Sequence, residues 1–209
     1  MFQLKKRYCI KIGLIGCLVA SCSNPFATRE PELPRKTEGG LPIKIPNSSM
    51  NALENMRISW EGRSSPHYLD ALSEDFVFIP DKNDEETFPQ VYQPDVQWDK
   101  TREGEFATKL FSKEVADLVV FEDWNLDPPK LIRSTDGGKN DEYRYNYKIG
   151  IVYIDGLTID APKRLVGTAK IFLKEDGGSW FIYRWEDIRI ADPLPGSYIG
   201  TLGTLRARF

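Results

Sequence analysis

The sequence predicts an α+β domain in which three helices precede an antiparallel sheet. Two patterns and one turn carry that reading. Between residues 50 and 115, apolar side chains recur at helical spacing. From Leu118 onward they alternate with polar ones at the two-residue period of a strand. Asp176-Gly177-Gly178 joins the last two alternating runs, and an Asp-Gly between such runs is a strong hairpin signal.

The N-terminus is read apart from the fold. Lys5, Lys6, Arg7 and Lys11 give a basic start, and Ile12 to Ala20 is uncharged. That run fits the apolar core of a secretory signal and falls well short of the roughly 20 residues a membrane-spanning helix needs. Leu18-Val19-Ala20-Ser21-Cys22 resembles a bacterial lipobox. The resemblance implies removal of residues 1–21 and acylation of Cys22, with two or more chains giving a firm membrane anchor. Ser23, not Asp, follows the cysteine; by the same resemblance this implies sorting to the periplasmic face of the outer membrane.

Cysteine usage agrees with that processing. The chain has three cysteines, and Cys9 and Cys17 fall in the removed segment, so the lipidated Cys22 alone remains. A disulfide, a thiolate metal site or a cysteine nucleophile is thereby excluded from the mature domain. Loss of four positive and no negative charges takes the net charge from −3 to −7. An acidic chain lacks the clustered Lys and Arg that nucleic-acid binding needs.

From Cys22 to Asn47 the chain carries Pro25, Pro31, Pro34, Pro42 and Pro46 with Gly39-Gly40. So few apolar residues cannot build a core, and the stretch reads as a tether reaching up to roughly 75 Å if extended. Residues 48–209 are then one domain by size. Leu53, Met56 and Trp60 predict a helix over 50–62, capped by Ser48 or Ser49 and stopped by Gly62. Ser65-Pro66 opens a second helix, proline at the first position costing no hydrogen bond, with Tyr68, Leu69, Ala71 and Leu72 inward and an end near Ser73. Asp75 to Pro80 is a short strand, and 81–98 reads as irregular.

Phe106, Leu110 and Phe111 mark a third helix over Thr101 to Val115. Strands follow at Leu118 to Leu126, Tyr143 to Leu157, Arg164 to Glu175 and Ser179 to Ile190, with Asp136-Gly137-Gly138 as a loop before the long one. The tail from Gly196 is expected to lie across the domain edge with Tyr198 and Leu202 tucked in. Leu205, Ala207 and Phe209 alternate like the end of an outer-membrane barrel strand, but a barrel needs at least eight strands.

Two phrases carry a family resemblance. Tyr68-Leu69-Asp70-Ala71-Leu72-Ser73-Glu74-Asp75-Phe76-Val77-Phe78 is similar to the passage from second helix to first strand in the nuclear transport factor 2-like superfamily. Gly178-Ser179-Trp180-Phe181-Ile182-Tyr183-Arg184-Trp185-Glu186-Asp187 is similar to its closing strand. The superfamily includes polyketide-cyclase-like and ketosteroid-isomerase-like domains, and the resemblance spans residues 48–192. It implies a strongly curved sheet around a cone-shaped cavity, used by some members for catalysis and by others for binding or assembly; fold does not decide which.

Tyr68, Trp124, Tyr147, Tyr183, Trp185 and Asp187 are the candidate pocket, aromatic with one acid, suited to a small apolar ligand with a polar group. Trp185 and Asp187 share a face by the strand period, and Tyr183 is expected beside them. In isomerase-like members such an acid moves a proton; ketosteroid isomerase is the established case. Against that, strand acids are ordinarily solvated or paired, and Arg184, Arg189 and Arg206 are available.

No other motif carries chemistry. His67, the one histidine, sits in the first turn of the second helix. Asp81 to Glu86 begins like a calcium loop but has Glu86 where glycine is required. No catalytic residue, metal or cofactor is assigned. Three readings follow: an envelope lipoprotein binding a small apolar ligand or a protein, a cofactor-free isomerase- or cyclase-like enzyme, and an assembly component, such as a homodimer formed through the outer sheet face.

Overall fold

A computed structural model describes residues 40–157, 159–190 and 199–209. The Leu18–Cys22 segment, the tether as far as Gly39, and Tyr198 lie outside them. Residues 41–47, which the proline content assigns to the tether, run back along the first helix. The backbone of Lys44 exchanges two hydrogen bonds of 2.8 Å with the Asn55 side chain, and Trp180 N donates to Pro46 O at 2.8 Å.

Helix α1 (Ser49–Glu61) is capped by Ser48, which accepts from Asn51 N, and Ala52, Leu53, Met56 and Trp60 are buried. Helix α2 (Ser65–Asp70) has Pro66 in its first turn and ends before the expected Ser73. It ends there because Leu72 already pairs with Ile182 as the start of strand β1 (Leu72–Ile79). The stretch expected to be irregular holds a short helix, α3 (Lys82–Thr87), with Asp81 as its cap and Asp84 buried.

Strand β2 (Trp98–Asp99) leads into helix α4 (Lys100–Leu110), capped by Asp99. Strand β3 (Ala116–Phe121) is followed by β4 (Lys130–Thr135), which the sequence reading lacks because Leu131 and Ile132 are exposed on both faces and no alternation marks it. β4 and β5 (Asn140–Tyr153) form a hairpin through Asp136-Gly137-Gly138. β6 (Arg164–Asp176) and β7 (Ser179–Ile188) form the second hairpin, where Gly177 at φ 60 and Gly178 at φ 85 supply the left-handed pair that the turn requires.

The sheet order is β2-β1-β7-β6-β5-β3, with β4 beside β5 and a two-residue strand β8 (Ile199–Gly200) beside β6. Pairing is antiparallel except β1 with β7 and β6 with β8. β5 takes β4 along its first part and β3 along its last, while β6 follows nearly its whole length. The fold is thus α+β, a curved, largely antiparallel sheet with helices on its inner face. Trp60, Tyr68, Phe76, Phe78, Phe106, Tyr145, Tyr147 and Trp185 are fully buried between them.

The outer face of the sheet is charged. Lys170 and Arg184 pair with Glu186, and Lys174 and Arg184 lie over the rings of Tyr183 and Phe172. Val152 on β5 is an exposed apolar side chain of this face, and others, among them Leu126, Leu131, Ile132 and Val96, lie elsewhere.

The C-terminus corrects the sequence reading. Leu202 is buried as expected, but the tail does not simply cross an edge: after β8 it forms helix α5 (Leu202–Ala207) against the inner face. Leu202, Leu205 and Arg206 fall at spacings of three and four and are all buried. The alternation of Leu205, Ala207 and Phe209 is a coincidence of a six-residue helix.

Candidate functional site

The inner face of the sheet meets α5 in a buried polar cluster. Its centre is an ion pair between α4 and α5. Glu103 follows Asp99 by four residues, so the first turn of α4 points it inward with Phe106 and Leu110 one and two turns on. Arg206 donates to Glu103 twice, Nε to Oε2 at 2.8 Å and Nη2 to Oε1 at 2.6 Å. Tyr68 Oη donates to Oε1 at 2.6 Å and Trp98 Nε1 to Oε2 at 2.7 Å. The carboxylate therefore accepts four hydrogen bonds while fully buried.

The guanidinium is enclosed by rings as well. Its carbon lies 3.9 Å from the Phe78 centroid, 4.9 Å from Phe106 and 5.6 Å from Trp185. Burial alone would lower the Arg206 pKa, but Glu103 outweighs it and holds the group charged. Burial, and then the negative Glu103, push the Tyr68 hydroxyl well above its ordinary value, so Tyr68 remains a donor.

Two aspartates hold the start of α5. Asp187 on β7 accepts from Tyr147 Oη at 2.7 Å and from Gly203 N at 2.8 Å, and Leu202 N donates to Tyr147 Oη at 3.1 Å. Burial pushes the Asp187 carboxyl up to about 6; Tyr147, Gly203 and Arg206 pull against it, and Asp84 adds to it. Asp84 on α3 accepts from the hydroxyls of Thr201 and Thr204 and from Arg189 Nη2 at 3.1 Å. Tyr92 Oη donates to Gly203 O at 2.6 Å, and Lys109 Nζ to Phe209 O at 2.9 Å. Gly203 is required here: a Cβ on it would come within 2.6 Å of Asp84 Oδ2.

Of the six predicted pocket residues, four meet in this cluster. Tyr147 and Asp187 are bonded to each other, Trp185 faces Arg206, and Tyr68 bonds Glu103. Trp124 stands apart, its Nε1 donating to Glu54 Oε1 at 2.7 Å and its ring edge-on to Tyr145 at 5.0 Å. Tyr183 is not beside Trp185 at all. A bulge opposite Phe172 and Leu173 leaves Tyr183 as the extra residue, so Ile182 and Trp185 both point inward while Tyr183 lies tilted against Phe172 outside.

Sequence reasoning missed Glu103, Tyr92 and Gly203, and took Asp84 only as part of the calcium-like run that it set aside. Glu103 had a signal, since it lies on the helical stripe of Phe106 and Leu110. Asp84 had none, because nothing in 81–98 marked a helix. Of the arginines named as partners for strand acids, Arg184 pairs with Glu186 on β7, whereas Arg206 and Arg189 pair with the helix acids Glu103 and Asp84. His67 Nδ1 lies 2.7 Å from Ser64 Oγ at the exposed start of α2. Among the described residues no group of three or more His, Cys, Asp or Glu is placed to hold a metal ion.

The cluster fixes the start of α5 against α3, α4, β5 and β7. Each oxygen of Asp187 accepts a hydrogen bond from a group of the fold, and the side chain is buried.

No protein-family model and no curated protein matches the sequence. Solved structures similar to this one have nuclear transport factor 2-like and cystatin-like folds. A suggested aromatic ring hydroxylase from Novosphingobium aromaticivorans is 14% identical with a TM-score of 0.49, covering 68% of this chain and 87% of that one. A nuclear transport factor 2-like protein from Cytophaga hutchinsonii is 13% identical with a TM-score of 0.45, covering 68% and 94%. A cystatin-like domain of unknown function from Nostoc punctiforme is 10% identical with a TM-score of 0.40, covering 68% and 74%.

Proposed function

We propose that this chain is a lipid-anchored envelope protein whose folded domain is a non-catalytic binding module for a protein partner. One observation carries the binding reading: the side chains that would form a ligand pocket are instead bonded to the chain's own α5, with Glu103 on Arg206 and Asp187 on Gly203. A small apolar ligand would have to displace that helix. The outer face of β5, β6 and β7 carries the Lys170, Arg184 and Glu186 charges beside Val152, Phe172 and Tyr183, which weighs against a wholly apolar dimer interface there. The anchoring reading rests on the Leu18–Cys22 sequence.

The raised Asp187 beside Tyr147 is what favours the enzyme alternative, since an acid poised near neutrality next to a tyrosine suits proton transfer. Its hydrogen bonds to Tyr147 and Gly203 count against it. A strain carrying Asp187→Asn, with the variant shown by circular dichroism to fold, is expected to match its parent; a folded variant that behaves like a deletion would overturn the non-catalytic reading. Cys22→Ala is expected to move the protein from the membrane pellet to the soluble fraction and to abolish palmitate labelling. Unchanged fractionation would overturn the anchor.

A further inference from the structure

The outer face of β4 to β7 gathers positive charge in a chain whose net charge is −3. Lys130 on β4 stands directly opposite Arg144 on β5, Arg144 opposite Lys170 on β6, and Lys170 opposite Glu186 on β7. Residues opposite one another share a face, and Arg144 points outward because Tyr143 and Tyr145 on either side of it are buried. The next outward row is Arg133, Glu142, Phe172 and Arg184. The two rows together hold five cations and two acids.

The acids do not neutralise this patch. Lys170 and Arg184 share Glu186, and Lys130 meets Asp127, in the turn before β4, at 2.7 Å. Arg133 and Arg144 are exposed and make no ion pair among the described residues. Neighbouring strands run about 4.8 Å apart, and like charges directly opposite one another destabilise a sheet. The line of Lys130, Arg144 and Lys170 is therefore a cost to the free chain that a bound anion removes. Beside it, Ile132 interrupts the register between Leu131 and Arg133 and stands 52% exposed.

We propose that this face docks on the anionic headgroups of the bilayer that holds the lipid anchor, with the arginines on lipid phosphates and Ile132 in the headgroup layer. Charge and reach select that occupant. Phosphate is an anion that the arginine fork matches, and each Lys or Arg near an anionic surface adds to the attraction. The described chain begins at Gly40, eighteen residues after Cys22, so acylation keeps the domain within about 55 Å of that surface. The inference rests on the anchored reading and goes beyond it. It sets the sheet against the bilayer and leaves the helices facing away, toward a protein partner.

Vesicle sedimentation tests it with the Cys22→Ala chain, purified without lipid. At low ionic strength this chain is expected to bind vesicles of phosphatidylethanolamine and phosphatidylglycerol at least tenfold more tightly than vesicles of phosphatidylcholine. The preference should fade as salt approaches about 0.15 M, so it does not hold an unlipidated chain in a membrane pellet. Arg133→Glu with Arg144→Glu should weaken binding at least tenfold. Lys82→Glu with Lys113→Glu makes the same charge change at exposed residues away from this face and should weaken it less than twofold. Should the first double variant fail to fold by circular dichroism, Arg144→Gln alone is used, with at least a threefold loss expected. Equal binding of both vesicle types, equal loss in the two double variants, or an unchanged Arg144→Gln overturns the proposal. Binding of inorganic phosphate without binding of vesicles also overturns it. The assay contains no acylated chain, so its failure leaves the Cys22→Ala fractionation outcome standing, and the two readings fall separately.

Discussion

Asp187 sets a pH dependence whose sign follows from its burial. Its carboxyl titrates near 6 in the folded chain against an ordinary 3.8, so folding favours the protonated form. Stability from this group is fully present below the unfolded value and is lost as pH rises through about 6. Groups facing it from the other elements are Tyr147, Tyr92, Arg206 and Asp84. Glu61, raised by burial against the pull of Arg57, adds in the same direction. The urea midpoint is therefore expected to rise between pH 7.5 and pH 5, and Asp187→Asn to remove most of that rise. A midpoint that falls over that window would refute the account. Tyr145 gives a second prediction at this scale. Its hydroxyl is buried without a hydrogen-bond partner, and such a group costs about 1–3 kcal/mol. Tyr145→Phe should leave the melting temperature unchanged or raise it by a few degrees; a clear fall would mean the hydroxyl has a partner.

Among the elements, β5 and β6 show how one side chain depends on the strand beside it. Tyr147 pairs with Gly167, and a Cβ at Gly167 would lie 2.2 Å from the Tyr147 hydroxyl. The ring lies across the bare backbone, which is why a strand interior tolerates glycine here. Gly167→Ala must displace Tyr147, and with it the bonds to Asp187 and Leu202. It is expected to cost about 2–3 kcal/mol by urea unfolding, within the range for overpacked cores; a loss under 0.5 kcal/mol would show that Tyr147 can move freely. Elements with a one-sided apolar pattern were legible from sequence: α1, α4, β5, β6 and β7 all have a buried face marked by period. Those without one were not. β4 has no buried face, α3 turns a single aspartate inward, and α5 is too short to show a period. The site was half legible for the same reason. Aromatic residues on regular strands came together as expected, whereas the bulge at Tyr183 reversed one side chain and left no trace in composition.

Across the whole molecule, the pairing of Glu103 with Arg206 decides whether the interior is closed by affinity or by specificity. Both side chains are fully buried, and burying two charges costs several kcal/mol that their attraction need not recover. The aromatic rings around Arg206 show that the space suits apolar packing equally well. An ion pair in such a place holds α5 in one register, since Arg206 supplies the two hydrogen bonds to Glu103 that Tyr68 and Trp98 leave open. That argument separates single from double substitution. Glu103→Met leaves a buried guanidinium without its counter-charge and should cost about 3–5 kcal/mol; Arg206→Met leaves an uncompensated carboxylate and should cost a similar amount. Glu103→Met with Arg206→Met removes both charges and keeps the volume, so its loss should be much smaller than the sum. Urea unfolding of the four chains gives the coupling directly, with more than about 2 kcal/mol expected. Additive losses would mean that the pair contributes only packing, and that the register of α5 is set by Asp84 and Asp187 instead.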